Sequence, residues 1–313
     1  MVNDNDTKIC FVVIFNHRYD DNIEKLLQLY DQRFSHINFL MPFYDGLRKD
    51  VIPVYAGSDI FQGFLAQAFP RLYEESFTHY VFIADDLLLN PAISEKNLLS
   101  LLQLDNETAY IKNFTPLSAV KFQEWCHGVK AIAAFSNICY KNAYGNYRKE
   151  LPSYDQAVEL FKKHDVVIDR LSAVNFDGYN GNNFRWSNQL CNEKLISQLY
   201  QTVGQQGSAS LPYPLVFGYA DFCVVPARFL RLFCRFCGIF AAMNLFVEIA
   251  LPTALLLACE AVKTEKEITL TGCEIWHDYS ELFNRYQGKL TALLADIDSN
   301  LLYIHPIKLS QWE

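Results

Sequence analysis

The sequence predicts an α/β fold: a mostly parallel sheet flanked by helices, with a more helical C-terminal part. Three observations support it. Short apolar runs rich in β-branched and aromatic residues alternate with segments of helical periodicity through the first third of the chain. Those runs are apolar at successive positions, as strands covered on both faces are. Finally, 51% of the 313 residues are hydrophobic, enough to bury a sizeable core.

Residues 9–15 (ICFVVIF) read as the first buried strand. After Asn16-His17-Arg18-Tyr19-Asp20, a helix is expected over 22–34, where Ile23, Leu26, Leu27 and Tyr30 recur at helical spacing and Asp20 or Asp21 can serve as N-cap. A second strand over 37–43 ends at Pro42 and the turn residues Asp45-Gly46, and 51–55 forms a third. A helix over 59–77 carries Phe61, Leu65, Phe69, Leu72 and Tyr73 on its apolar side. Residues 79–83 (HYVFI) form the fourth strand, followed by Ala84-Asp85-Asp86. Three β-α units feeding a strand that ends in carboxylates is a nucleotide-binding arrangement, because ligands of open α/β sheets gather at the carboxyl ends of strands.

The middle is less regular. Residues 175–192 are rich in Asn and Gly with aromatic insertions, and 204–214 contain Gly, Ser and Pro; both read as loops. Order returns with a strand over 221–225, a helix over 227–236, a strand over 268–271, a helix over 280–295 and the closing apolar stretch 301–306. Residues 238–259 (GIFAAMNLFVEIALPTALLLAC) are long enough to cross a bilayer, but a carboxylate such as Glu248 at mid-bilayer costs roughly 3 kcal/mol. With Asn244 and Pro252 also present, the segment reads as a buried helix. Neither an internal repeat nor a linker divides the chain, so 1–313 is read as one domain.

Charge and cysteines narrow the function. A formal charge of −8 argues against a nucleic-acid partner, because gripping phosphates needs clustered Lys and Arg. Residues 1–8 are polar and acidic with no signal-peptide pattern, and nine scattered cysteines read as reduced thiols, so a cytoplasmic protein is expected. Cys234 and Cys237 form a C-x-x-C without a second pair at zinc-site spacing.

The adjacent Asp85 and Asp86 place carboxylate oxygens where a hard divalent cation can sit and still accept phosphate; a solvated turn or helix cap is the alternative use of the same residues. Glu248, in so apolar a stretch, should have a raised pKa suited to a general base, unless Arg231 or Arg235 pairs with it. Asp221 and Trp186 are candidates for contact with a second substrate, since aromatic rings stack on sugar faces.

The early strand and helix, the strand HYVFI with Asp85-Asp86, and the late His305 together resemble GT-A fold glycosyltransferases, most clearly over residues 8–91. The resemblance implies that Asp86 is the metal-binding aspartate of an Asp-x-Asp-type motif, Asp85 its central residue near sugar or ribose, and His305 a further metal ligand; Ala84 departs from the motif's first aspartate. It implies Mn2+ or Mg2+ as cofactor, a UDP- or GDP-type nucleotide-sugar donor, and a carbohydrate or lipid-linked acceptor. Asn16 and Asp20 fall in the loop that contacts the nucleotide, Asp45 and Gln62 at the ends of the next strands, and Glu248 near the late helix start that carries the base in inverting members. Residues 1–120 then form the nucleotide-sugar-binding half and 121–313 the acceptor-binding half. A role in surface polysaccharide synthesis, with peripheral association at the inner face of the membrane, belongs to the same expectation. Two rival readings are a sugar nucleotidyltransferase, disfavoured because 16–20 lacks glycine, and a non-enzymatic membrane-associated interaction protein anchored by 238–259.

Overall fold

The structure, a computed structural model, describes residues 7–136, 145–186 and 190–313. Strand β1 (Ile9–Ile14) leads through α1 (Asn22–Tyr30) to β2 (Ile37–Pro42), and β3 (Val51–Val54) leads through α2 (Gln62–Leu72) to β4 (His79–Ala84). The short β5 (Leu88–Leu89) and α3 (Leu98–Leu101) precede β6 (Thr108–Ile111). After β7 (Thr115–Pro116) come α4 (Cys126–Phe135), α5 (Gly145–Arg148), α6 (Tyr154–Lys162) and α7 (Leu190–Gln206). The chain returns through β8 (Val216–Phe217) and β9 (Phe222–Pro226) to α8 (Ala227–Ala242) and α9 (Val247–Ala258). It continues with β10 (Ala261–Lys263), β11 (Thr271–Glu274), α10 (Tyr279–Arg285), α11 (Leu290–Ala295) and β12 (Leu301–His305).

Seven strands form the main sheet in the order β10-β6-β9-β4-β1-β2-β3, with β9 antiparallel to both of its neighbours and the other pairings parallel. The connections run outward from β1 to β2 and β3, then cross back to place β4 on the other side of β1. This reversal falls at the carboxyl ends of β1 and β4, the position at which open α/β sheets bind ligands.

Alternation along the strands feeds two cores. Cys10, Val12 and Ile14 face α2, α8 and α9, with Phe64, Leu65, Phe233 and Leu255 in the same cluster. Ile9, Phe11 and Val13 face α1 and β12, where Phe11 stacks on Phe34 at 4.1 Å. Helices α2 and α8 approach closely because glycines line their seam: a Cβ on Gly63 would lie 2.9 Å from the Ala241 Cβ, and one on Gly238 would lie 3.1 Å from the Ala66 Cβ. A three-stranded sheet, β11-β12-β5, carries the C-terminal part back to β4: β12 pairs antiparallel with β5, Ile304 opposite Leu88.

Several boundaries differ from the sequence reading, each for a local reason. No helix joins β2 to β3, so the first four strands are served by two helices rather than three. Asp21 caps α1 by position but makes no side-chain cap bond. The expected helix over 59–77 is a 3-10 turn followed by α2, which ends at Leu72 just after Pro70. Residues 238–259 are not one helix: α8 stops at Ala242, Asn244 adopts a left-handed conformation (φ 55°), and α9 restarts at Val247. Helix α9 is buried along almost its whole length, so the segment that the non-enzymatic reading uses as an anchor is core. Among the described residues no helix is long and apolar enough to cross a membrane.

Helix α7 reaches into the expected 204–214 loop and ends at Gln206, before Gly207 with φ 77°. The strand expected over 268–271 lies at Thr271–Glu274, displaced by a 3-10 turn whose start is fixed by Thr264 and Glu267. The helix over 280–295 divides into α10 and α11, separated by positive φ at Gln287 and Gly288. Residues 1–6 of the N-terminal segment and 187–189 of the Asn-rich loop lie outside the described residues. Cys10, Cys126, Cys223, Cys234, Cys237, Cys259 and Cys273 are free, and Cys234 and Cys237 are buried on α8, where burial pushes both thiols up and disfavours the reactive thiolate.

Candidate functional site

Strand β4 ends at Ala84, and the next two residues are fixed by backbone. The Asp85 amide donates to the Ile14 carbonyl at 2.9 Å, and the Asn16 amide donates to Asp85 Oδ1 at 3.4 Å, so this carboxylate bridges the ends of β1 and β4. Asp85 is 5% exposed; burial, followed by the neighbouring charge of Asp86, raises its pKa above the carboxylate range. The Asp86 carbonyl accepts from the Ile307 amide at 2.6 Å, which ties the acidic turn to the chain leaving β12.

That tie brings His305 into the site. Its Nε2 lies 3.1 Å from Asp86 Oδ1, with the imidazole almost fully buried and the Asp86 side chain 24% exposed. Burial is the largest single influence on His305 and favours the neutral ring, but the hydrogen bond to Asp86 and the charges of Asp86, Asp221 and Glu274 outweigh it, so its pKa is raised. The other ring nitrogen, Nδ1, is buried without a hydrogen-bond partner.

Asp221 joins from the start of β9. Its carbonyl accepts from the Ala84 amide at 2.9 Å, and burial pushes its carboxyl up to about 6 while His305 opposes the shift. Around these groups Tyr219 stacks on Tyr303 at 5.7 Å, Tyr303 donates to Glu274 Oε1 at 2.8 Å, and Glu274 pairs with Lys112. Trp276, 60% exposed, sets its ring edge-on to His305 at 4.8 Å.

Glu248 lies in the first turn of α9, and its carbonyl accepts from the Gly218 amide at 2.8 Å. This bond holds the helix start against the same short segment that carries Asp221. Burial, then the charge of Asp221, pushes the Glu248 carboxyl up to about 7. The arginines that would have neutralised it are engaged elsewhere: Arg235 pairs with Glu150 at 2.6 Å, and Arg231 lies over the rings of Phe69 and Tyr73.

The remaining candidates divide. Asp20 and Asp45 stand exposed on the rim, both held by Arg18 at 2.9 and 2.7 Å, with Asp20 kept below the usual carboxylate range by that pair. Gln62 does not meet the expectation of a nucleotide contact: it is fully buried and donates to the Leu245 carbonyl at 2.9 Å, helping to pack α2 beneath the turn between α8 and α9. Trp186 packs against the core on the α8 and α9 side of the sheet, with Arg185 over its ring, and makes no described contact with Asp86, His305 or Glu248.

The structure therefore gathers Asn16, Asp85, Asp86, Asp221, His305 and Glu248 at one end of the sheet. Glu274, Trp276 and Tyr303 complete it without having been singled out from sequence, because they arrive through the pairing of β11 with β12, and Lys112 joins from the end of β6 by pairing with Glu274. Asp86 and His305 converge as one oxygen and one nitrogen donor. Among the described residues no three His, Cys, Asp or Glu side chains form a cage, so a cation here would draw its other ligands from phosphate and water, as Mg2+ commonly does. Comparison with known proteins finds no matching family model, no matching curated sequence and no matching solved structure.

Proposed function

We propose that this chain is a glycosyltransferase of the GT-A type, moving a sugar from a UDP- or GDP-type donor to an acceptor hydroxyl with Mn2+ or Mg2+. The observation that carries the reading is the approach of His305 Nε2 to within 3.1 Å of Asp86 Oδ1 across 219 residues of sequence, at the carboxyl ends of the strands where the strand order reverses. A salt bridge serving stability alone would not need a buried carboxylate, Asp85, beside it.

In this reading Asp86 and His305 would hold the cation, which would supply positive charge to offset that of a departing diphosphate. Asp85 faces ribose or sugar hydroxyls, and Asn16, Asp20 and Asp45 border the nucleotide from the rim. The bond between the anomeric carbon and the diphosphate oxygen breaks, the acceptor oxygen bonds to that carbon, and the acceptor proton passes to Glu248. A carboxylate pushed up to about 7 is matched to taking a proton near neutral pH. Surface polysaccharide synthesis at the inner face of a membrane is a setting that suits such an enzyme.

A thermal-shift panel of UDP, GDP, CMP, TDP and ADP, each with and without Mn2+ or Mg2+, tests the reading, since a ligand that binds only the native state raises the melting temperature. A rise for one nucleotide that requires metal is the expected result. No rise for any nucleotide with a folded protein would contradict it.

A further inference from the structure

Beside Glu248 lies a second feature that the chemistry above does not use. A cleft of about 430 Å³ is lined by Trp125, Phe217, Val120, Lys121, Glu124 and Glu248. Its size falls among sites for small ligands, which combine apolar walls with a few placed polar groups. The two rings pack on each other, with centroids 5.2 Å apart at 48°, and both keep part of their surface open. They are braced from behind. Phe246 meets Trp125 edge-on at 6.3 Å and is itself stacked on His127 at 3.8 Å. Phe217 belongs to β8, which pairs with β7 and is pinned to α9 by the Val216 amide donating to Thr253 Oγ1 at 3.2 Å.

The connection to the reacting centre is short. Phe217, Gly218 and Asp221 lie within five residues, and Gly218 fits there because a Cβ would overlap the Asn113 carbonyl oxygen. One rigid segment thus carries an aromatic wall at one end and a carboxylate coupled to both His305 and Glu248 at the other. Braced, half-open rings beside carboxylates and an ammonium suit a ligand with an apolar face and a belt of hydroxyls. A pyranose has that shape; an alkyl chain would leave Glu248 without use, while Lys121 is already paired with Glu124 and Asp177.

We infer that the acceptor is a saccharide whose ring stacks on the open face of the packed Trp125 and Phe217 rings, presenting a hydroxyl to Glu248. The inference rests on the transferase reading for the word acceptor, while the binding itself can be tested without nucleotide or metal.

Saturation-transfer NMR of the full chain with methyl β-D-glucopyranoside, methyl α-D-mannopyranoside, methyl β-D-galactopyranoside and n-octanol, in the absence of nucleotide and metal, makes that test. At least one glycoside is expected to show saturation on its ring protons. Trp125→Ala should weaken its affinity about tenfold or more, the worth of one aromatic stacking contact, while Trp125→Phe retains most of it. Trp186→Ala should leave it unchanged. Because Trp125 also packs on Phe246, Phe217→Leu is measured in parallel and the melting of each variant is followed, so that loss of fold is distinguished from loss of stacking. Absence of glycoside binding, binding of octanol alone, or glycoside binding indifferent to Trp125 and Phe217 in folded variants would overturn the inference. Glycoside binding in a chain that ignores every nucleotide would instead refute the transferase reading and leave the saccharide site standing.

Discussion

The acidic turn after β4 and the cleft beside α9 lie at the same end of the sheet but are built on opposite terms. The first concentrates charge: Asp85, Asp86, His305 and Asp221 sit within interaction range, each anchored through a backbone bond to a neighbouring strand or turn. The second concentrates apolar surface, with Trp125, Phe217 and Phe246 held by ring packing and only its rim charged. Buried like charges repel unless a cation or a proton intervenes, so the turn needs stiff backbone to hold it. The cleft needs bracing only to hold its packed rings in place. Substitutions should therefore act on binding at the first and on acceptor use at the second.

The largest expected effect follows from removing Asp86. Asp86→Ala should abolish metal-dependent nucleotide binding and lower transfer by about a thousandfold, the scale associated with losing a main electrostatic contact in a transition state. It should also lower stability by about 1 to 3 kcal/mol, because His305 would be left buried without its partner. Calorimetric titration and a melting curve read the two consequences separately. An unchanged nucleotide affinity would break the contrast drawn between the two regions.

Next comes Glu248→Gln, expected to leave nucleotide binding intact while lowering kcat by about a hundredfold or more, the contribution typical of a general base. The wild-type rate should rise with pH through about 7 as the Glu248 carboxyl loses its proton, and the variant should lack that limb. A sharper consequence concerns stability. Since the native pKa is raised from 4.5 to about 7, the native state holds more protons than the unfolded state across that interval. The stabilising contribution of protonated Glu248 is present at low pH and lost as pH rises through about 7. Melting temperatures of wild type relative to the variant should therefore fall between pH 5 and pH 8, and a constant difference would contradict the assigned environment.

How much of this was legible in the sequence follows the same division. The first four strands could be read because each is a short, predominantly apolar run, and Asp85 and Asp86 could be read because two carboxylates directly after such a run interrupt it. His305 stood out only through the resemblance; its approach to Asp86 depends on β12 pairing with β5. The aromatic wall left no comparable mark, since Trp125 and Phe217 lie 92 positions apart in segments without clear period and meet through tertiary packing. Gln62 misled for the opposite reason. Its place at a strand end suggested ligand contact, while the nearby turn between α8 and α9 had already claimed its amide. The break at Asn244 escaped because a single Asn in an apolar stretch can equally sit within a buried helix, and only the backbone shows the turn.

A smaller effect is expected at Gly218. Gly218→Ala would force its Cβ against the Asn113 carbonyl and cost about 1 to 3 kcal/mol, the usual range for overpacking. Because the segment carries both Phe217 and Asp221, the variant should raise the KM for acceptor and lower kcat together, which steady-state kinetics would separate from simple loss of folded protein.

The most direct test of the central claim is the electron paramagnetic resonance signal of free Mn2+ titrated with the protein and the nucleotide diphosphate selected by the thermal panel. If Asp86 and His305 hold the cation, wild type should deplete the free signal far more with nucleotide than without, and Asp86→Ala and His305→Ala should each fail to do so. Depletion of equal size in either folded variant would place the metal elsewhere and contradict the account.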